Sequence, residues 1–450
     1  MRFNWLKALH SDHQRIAKAA FRVAFFLLLG KAAGAFKEMA VAYRYGISDV
    51  VDAYQFTMVM ANWIPVTMVG VFSVVLIPVL VHAKDDSSSV RQRFINELLG
   101  VMMVIGLGVA AAIWLLWPWV LAFAGKGLSA SAQQMSQELV WAFAPAAVLT
   151  LLTGLHAARL RAHERHINTL LDSVPAFSIL VFVLAAGPGQ GVWPLLWGTL
   201  LGYMVQSASL HYLAKRVDGF WGRPRFRIRA EQWPALAHAA GIMLIGQIAM
   251  SFVGPIDQYT AASLGDNANA TLGYASRFIS LMIGIGAASV GRAALPVLAD
   301  VTRRGDAIRA RQIALKWSLM MVVIGLVIAA LAAWLAPWGV GLLYERGAFT
   351  AADTVRVSSV LRWGLLQLPF YFGVLILVQL LASQHRYGMM ATIAIINFAV
   401  KALMNMWLAP QMGVHGIMLA TSCMYAMSFA SYFLVALKPA TIQVKPTESK

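Results

Sequence analysis

Residues 97–124 read ELLGVMMVIGLGVAAAIWLLWPWVLAFA, with Glu97 at the margin as their single charge. A helix crosses a bilayer with about 20 apolar residues, so this stretch is long enough to span. Its closing signature of Trp114, Pro118 and Trp119 returns at the end of 314–344 as Trp334, Pro337 and Trp338. Pro78-Val79-Leu80 likewise returns as Pro296-Val297-Leu298, and Tyr45-Gly46 is loosely echoed by Leu264-Gly265. An offset near 218–220 therefore divides the chain into two similar halves. Repeats with an even number of spans keep one orientation in the membrane and are related by an axis along its normal.

Apolar runs separated by short polar turns lie at 17–43, 53–83, 97–124, 138–160, 167–185, 191–214, 234–264, 270–299, 314–344, 356–384, 389–409 and 414–438. The expected fold is an all-α polytopic membrane protein of about twelve helices in two six-helix lobes around a central cleft. Its parts are a cytoplasmic N-terminal segment (1–16), an N-lobe (17–214), a basic linker (215–233), a C-lobe (234–438) and a cytoplasmic tail (439–450). Gly34, Pro65, Pro255 and Pro369 mark expected bends. With 60% hydrophobic and 12% charged residues among 450, a soluble enzyme is excluded. The single Cys423 excludes an internal disulfide and a cysteine metal cluster.

Charge position fixes the expected orientation. Lys and Arg concentrate in alternate connections: the segment before residue 23, Lys84 to Arg93, Arg159 to Arg165, Lys215 to Arg229, Arg303 to Lys316, Arg386, and the C-terminal tail. The opposite connections hold Lys126, Arg346 and Arg356. Because basic loops stay on the cytoplasmic side, both termini are expected inside, in a bacterial inner membrane. The N-terminus also looks like a signal peptide, but Lys31 interrupts its small-residue site. The net charge of +17, with the run Arg223-Pro224-Arg225-Phe226-Arg227-Ile228-Arg229, suits anionic headgroups at the cytoplasmic leaflet rather than nucleic acid.

Seven cations then remain within the spans: Lys31, Lys37, Arg44, Arg277, Arg292, Arg362 and Lys401. Arg44, Arg292 and Arg362, with Asp172, sit near span ends, where long side chains reach headgroups. Lys401 is open to the same reading. Lys31 and Lys37 lie well inside the first span, separated by about 9 Å of helical rise, a spacing that suits two contacts along an elongated anion. Arg277 lies in the eighth span and can grip phosphate through two N–H groups. If spans one and eight face the cleft, the three predict a cationic cavity that attracts an anionic ligand. Internal pairing, of Lys37 with Asp52 or Arg277 with Asp257, is the competing reading and is compatible with exchange of partners during transport. Glu38, Asp52 and Asp257 are candidate coupling groups. His156, His163 and His166 lack zinc-ligand spacing and read as a solvated loop. No catalytic constellation, resident cofactor or metal site is expected; coupling to membrane potential, Na+ or H+ is compatible with the charges.

The run Gly30-Lys31-Ala32-Ala33-Gly34-Ala35-Phe36-Lys37-Glu38, followed by Tyr45-Gly46 and Asp52-Ala53-Tyr54-Gln55-Phe56, resembles the first-helix signature of the MviN/MurJ family. Asn62, Gly70, Phe72, Ser73 and Pro78 continue the likeness, as do Tyr274, Arg277, Leu295-Pro296 and Glu345-Arg346-Gly347-Ala348-Phe349-Thr350 in the second half. That family comprises lipid-linked oligosaccharide flippases, in a superfamily shared with Wzx exporters and MATE antiporters. The resemblance implies a two-lobed cavity in which Lys31, Lys37 and Arg277 stand where the family has arginines that meet a diphosphate. It also implies a polyprenyl-diphosphate glycolipid as substrate, with a polysaccharide polymerase and assembly proteins as partners. Three departures bear on the substrate. The family's paired arginines after the Asn of span two are replaced around Trp63-Ile64-Pro65-Val66, the first two cavity arginines are lysines, and Ser276 and Ser280 replace acidic residues beside Arg277. The lipid II flippases usually have fourteen spans, against the twelve read here. These differences favour an exopolysaccharide repeat unit as cargo, with lipid II as the alternative and a MATE-like cation antiporter or a non-transporting scaffold as further rivals.

Overall fold

A computed structural model describes residues 29–82, 87–163, 165, 167–187, 189–303, 307–384 and 386–437, with side chains 74, 235, 239, 242–246, 249, 285–300, 302–303 and 307 outside the description. The expected N-terminal segment, the tail 439–450, Lys84, His166 and Arg304 also fall outside it. The described residues are helical, without strands. Helix α1 covers 29–45. It is followed by α2 (Asp49–His82), α3 (Ser88–Ala124), α4 (Ala130–Ala162), α5 (Asn168–Leu171), α6 (Val174–Ala185) and α7 (Trp193–Asp218). The second half holds α8 (Trp233–Ser251), α9 (Val253–Leu264), α10 (Ala268–Arg303), α11 (Ala307–Tyr344), α12 (Ala351–Leu365), α13 (Leu368–Ser383), α14 (Tyr387–Met412) and α15 (Val414–Leu437). Eight described segments are long and apolar enough to cross a membrane; the number twelve rests on the sequence.

The repeat reappears in the helix starts. Asp49, Ser88, Ala130, Asn168 and Trp193 in the first half correspond to Ala268, Ala307, Ala351, Tyr387 and Val414 in the second, at offsets of 219–221 residues. Three interruptions follow one rule. A proline ring clashes with the carbonyl four residues before it and supplies no N–H to that carbonyl. Helices α5, α8 and α12 end at Leu171, Ser251 and Leu365, each four residues ahead of Pro175, Pro255 and Pro369. The bends expected at Pro255 and Pro369 are therefore present, and Pro175 adds one. At Gly34 and Pro65, by contrast, the helix runs on without interruption.

The chain packs as two compact units, the described residues of Met1–Ala270 with Leu342–Thr354, and those of Thr271–Gly341 with Val355–Lys450. This division does not coincide with the linker 215–233, because α8 and α9 pack on α2 in the first unit. In that unit α4 lies against α2, α3 and α7. Small residues permit the approach, since membrane helices associate by close contact rather than by water exclusion. A Cβ on Gly154 would come within 2.7 Å of Val69, and one on Gly202 within 2.6 Å of Pro175. Buried hydroxyls join the same seam: Thr57 lies 2.7 Å from Ser136, which also accepts the indole N–H of Trp117 at 3.2 Å. In the second unit α13 and α15 meet at Gly373, where a Cβ would touch Phe429 at 2.7 Å, and α14 runs alongside α15.

Candidate functional site

Helix α1 presents its two lysines differently. Lys31 is exposed and Lys37 is 6% exposed. Six residues turn a helix by about 600°, leaving the pair about 120° apart around its axis, so they do not share one face. The ammonium of Lys37 forms an ion pair with Glu38 at 2.6 Å, also buried, and stands 5.7 Å from the centroid of Tyr54 on α2. Sequence spacing gives little warning of this contact, because neighbours in a helix point apart and only the long lysine stem lets the pair close.

Asp52 is spoken for elsewhere. It is 2% exposed and accepts the amide of Ala270 at 2.8 Å, which joins the start of α2 to the start of α10 inside the first unit. Arg44 donates to the carbonyl of Gly187, between α6 and α7. Asp172 accepts from Gln206 at 3.3 Å. Those two contacts are internal, where reach to headgroups had been expected; Arg362, in the second unit, is turned to the carbonyl of Ala333 at 3.1 Å. Arg277 is partly buried on α10, in the second unit, beside fully buried Tyr274. Asp257 lies partly buried on α9 in the first unit. The side chain of Arg292 is outside the description.

Where the span-two arginines would stand, the chain builds an apolar anchor. Trp63 donates its indole N–H to the Ser251 hydroxyl at 2.9 Å and packs its ring against Phe252, tilted by 50° with centroids 4.3 Å apart, at the bend between α8 and α9. Trp63, Ile64, Phe252 and Tyr259 contribute to a crevice of about 530 Å³ between α2, α3 and α9.

The histidines correct the sequence reading. His156 and His163 do not sit in a solvated loop: His156 is 2% exposed on α4 and faces Arg159 at 3.0 Å and His211 at 3.2 Å. Arg159, read as a loop cation, is equally buried and pairs with Asp218 of α7 at 2.6 Å, while His163 meets the other oxygen of Asp218 at 3.0 Å. Among the described residues no group of three or more His, Cys, Asp or Glu side chains could hold a metal ion.

The arginine run is an extended strap laid over the N-terminal part of α3. Asn96 takes the amide of Arg223 on its side chain and that of Arg225 on its carbonyl, both at 2.8 Å. One oxygen of buried Glu97 accepts the amides of Arg229 and Ala230 and the indole of Trp233, at 3.0, 3.0 and 2.9 Å. Arg93, Arg225, Arg227 and Arg229 border a hollow of about 340 Å³. Phe226 and Ile228 are exposed at 67% and 59%.

Buried cations on helices, a helical repeat and the strap between its halves describe a membrane transporter, and comparison with known proteins identifies which kind. The family model described as Lipid II flippase MurJ matches residues 41–447. The chain belongs to the MurJ family. It is 26% identical over 435 residues to a protein of Synechocystis sp. named "Probable lipid II flippase MurJ", covering 90% of this chain and 78% of that one. A Bdellovibrio bacteriovorus protein of the same name is 23% identical over 439 residues, covering 92% and 80%. Among solved structures, a lipid II flippase MurJ in an inward closed conformation superposes with a TM-score of 0.79 at 17% identity, over 93% of this chain and 88% of that one. An inward-facing MATE multidrug transporter gives 0.68 at 13% identity, over 91% and 93%. MurJ membership places the chain among multi-pass membrane transporters and not among enzymes, and the fold is the one shared by MurJ and MATE proteins.

Proposed function

We propose that this MurJ-family protein flips a polyprenyl-diphosphate-linked saccharide from the inner to the outer leaflet of the bacterial inner membrane, and that its substrate is lipid II. The observation that carries this reading is the family match along residues 41–447. The exopolysaccharide reading rested on a few side-chain departures and on span count; relatives aligned over 90% and 92% of this chain carry the lipid II name, which favours the alternative. The MATE likeness, at 13% identity, speaks for fold alone.

In the proposed cycle the headgroup enters from the cytoplasmic side while the tail stays in lipid. The diphosphate draws Lys37 away from Glu38, and Lys31 and Arg277 complete its neutralisation. Return of Lys37 to Glu38 favours release outside as the lobes rock. Moving an anion out of a negative interior gains about 2.3 kcal/mol per charge per 100 mV, so membrane potential can drive the step. Glu38, Asp52 and Asp257 are the candidate groups for any additional cation coupling. Both termini are assigned to the cytoplasm.

Depletion of the chromosomal gene, followed by extraction of polyprenyl-linked intermediates, tests the substrate. Lysis with lipid II accumulating in the inner leaflet is expected. Viable cells that lack one surface polysaccharide and accumulate its lipid-linked repeat would restore the exopolysaccharide reading. Normal levels of every lipid-linked glycan would overturn the flippase reading itself.

A further inference from the structure

Asn397, Lys401 and Asn405 recur at every fourth position of α14, so they form one row along the helix. All three are buried, and Lys401 is enclosed at 0% exposure. Its ammonium donates to the side-chain oxygen of Asn405 at 3.2 Å, the backbone carbonyl of Ile417 at 3.0 Å and the hydroxyl of Thr421 at 2.6 Å. Ile417 and Thr421 both lie on α15.

The three oxygens around the Lys401 Nζ are all placed to accept. Thr421 donates its own hydroxyl hydrogen to the Ile417 carbonyl at 3.1 Å, so toward Lys401 it accepts. The carbonyl and the amide oxygen accept as well. Three acceptors match the three N–H donors of a charged ammonium, whereas a neutral amine has two. The seam between α14 and α15 therefore places an amide oxygen, a carbonyl and a hydroxyl around the ammonium.

Neutral oxygens of these kinds are hard donors and suit hard cations. In membrane proteins, backbone carbonyls replace an ion's hydration shell in the same way, and transporter sites use them to coordinate Na+. We propose that the α14–α15 seam is an alkali-cation cage filled by a tethered ammonium, Lys401 standing where a bound Na+ or K+ would otherwise hold the two helices together. A free ion cannot load this cage while the lysine occupies it. Whatever ion coupling the transporter has is therefore seated elsewhere. The inference goes beyond the flippase reading and does not depend on it, since its readout is ion binding by the purified protein.

The test compares thermal unfolding of the purified full-length protein in NaCl, KCl and choline chloride at equal ionic strength. The wild type should unfold at one temperature in all three. Lys401→Ala should unfold at a lower temperature in choline and recover by about 3 °C or more, saturably, in NaCl or KCl, as ligand linkage requires. Thr421→Val in that background should remove the recovery, and Lys401→Met, which keeps the cage filled with carbon, should show none. Equal unfolding of Lys401→Ala in all three salts, or recovery that survives Thr421→Val, would overturn the proposal. Lys401→Ser is the second vacated cage, judged by the same criteria. Failure of both variants to accumulate in cells also counts against the proposal, because intracellular K+ would be present to fill the site.

Discussion

The amide of Ala348 donates to the carbonyl of Tyr43 at 2.8 Å, across 305 positions of chain. This bond fastens the segment Leu342–Thr354, which holds the connection from α11 to α12, to the end of α1 within the first unit. Two glycines make the approach possible. Gly46 has φ +57° and a Cβ there would meet the Ala348 carbonyl at 2.4 Å; Gly347 has φ +60° and its Cβ would meet the Tyr43 carbonyl at 2.3 Å. Left-handed backbone and backbone contact on both sides mean that neither position accepts a side chain without movement.

Gly347→Ala should therefore loosen this junction. Strain at a positive φ costs on the order of 1–3 kcal/mol, and the clash adds to it. The expected outcome is a lower unfolding temperature in detergent and faster proteolysis of the 342–354 segment. Unchanged values for both would mean that the segment can shift at no cost.

The Lys37–Glu38 pair separates structure from transport. Removing one partner of a buried ion pair costs on the order of 3–5 kcal/mol, while replacing both by neutral groups costs far less. Lys37→Met and Glu38→Gln should each lower abundance in the membrane, and the double variant should recover it. If Lys37 also meets the substrate diphosphate, the recovered double variant should still fail to complement loss of the gene. Full complementation would leave the pair a purely structural one.

The Arg159–Asp218 pair should behave as structure alone. Both side chains are at most 2% exposed, and each contacts a histidine of the same cluster. Asp218→Asn should cost on the order of 3–5 kcal/mol by leaving Arg159 short of its counter-charge. The measurement is the unfolding temperature, with double-mutant coupling to Arg159→Met deciding whether the loss belongs to this pair.

The helices were legible in the sequence because apolar length and the Trp-Pro-Trp ends are properties of single segments. The three interruptions follow from prolines in the same way, whereas Gly34 and Pro65, expected as bends, lie within uninterrupted helix. What the sequence hid were contacts between segments. Arg159 sits among Arg161 and Arg165 and reads as one more loop cation until Asp218, 59 positions away, is seen beside it. Lys401, within an apolar span, was open to a reading as a side chain that reaches the membrane surface; its enclosure depends on Ile417 and Thr421 of the next helix. The packing units escaped for the same reason, because the attachment of α8 and α9 to α2 leaves no local mark.

Orientation is tested by accessibility. With Cys423 removed, single cysteines at Ser129 and Asn267 should react with an impermeant thiol reagent added outside the cell, and one at Ser88 should not. Ser129 precedes α4 and Asn267 precedes α10, on the side that the basic residues avoid. Labelling of Ser88 from outside would invert the assigned topology.

The strap offers the most direct test of a single side chain. One carboxylate oxygen of Glu97 receives three N–H donors from residues 229, 230 and 233, and hydrogen bonds to a charged acceptor contribute about 1.5–3 kcal/mol each. Glu97→Gln keeps the size but loses the charge, so each bond weakens rather than disappears. A loss of about 1.4 kcal/mol already changes an opening equilibrium tenfold. Trypsin cuts after arginine only where the backbone can leave its resting place. Cleavage after Arg225, Arg227 or Arg229 in inside-out vesicles should therefore rise at least about tenfold in Glu97→Gln, with Asn96→Ala giving a smaller rise focused on Arg225. Equal cleavage of wild type and Glu97→Gln would show that the strap is held by lipid contacts of Phe226 and Ile228 and not by the carboxylate.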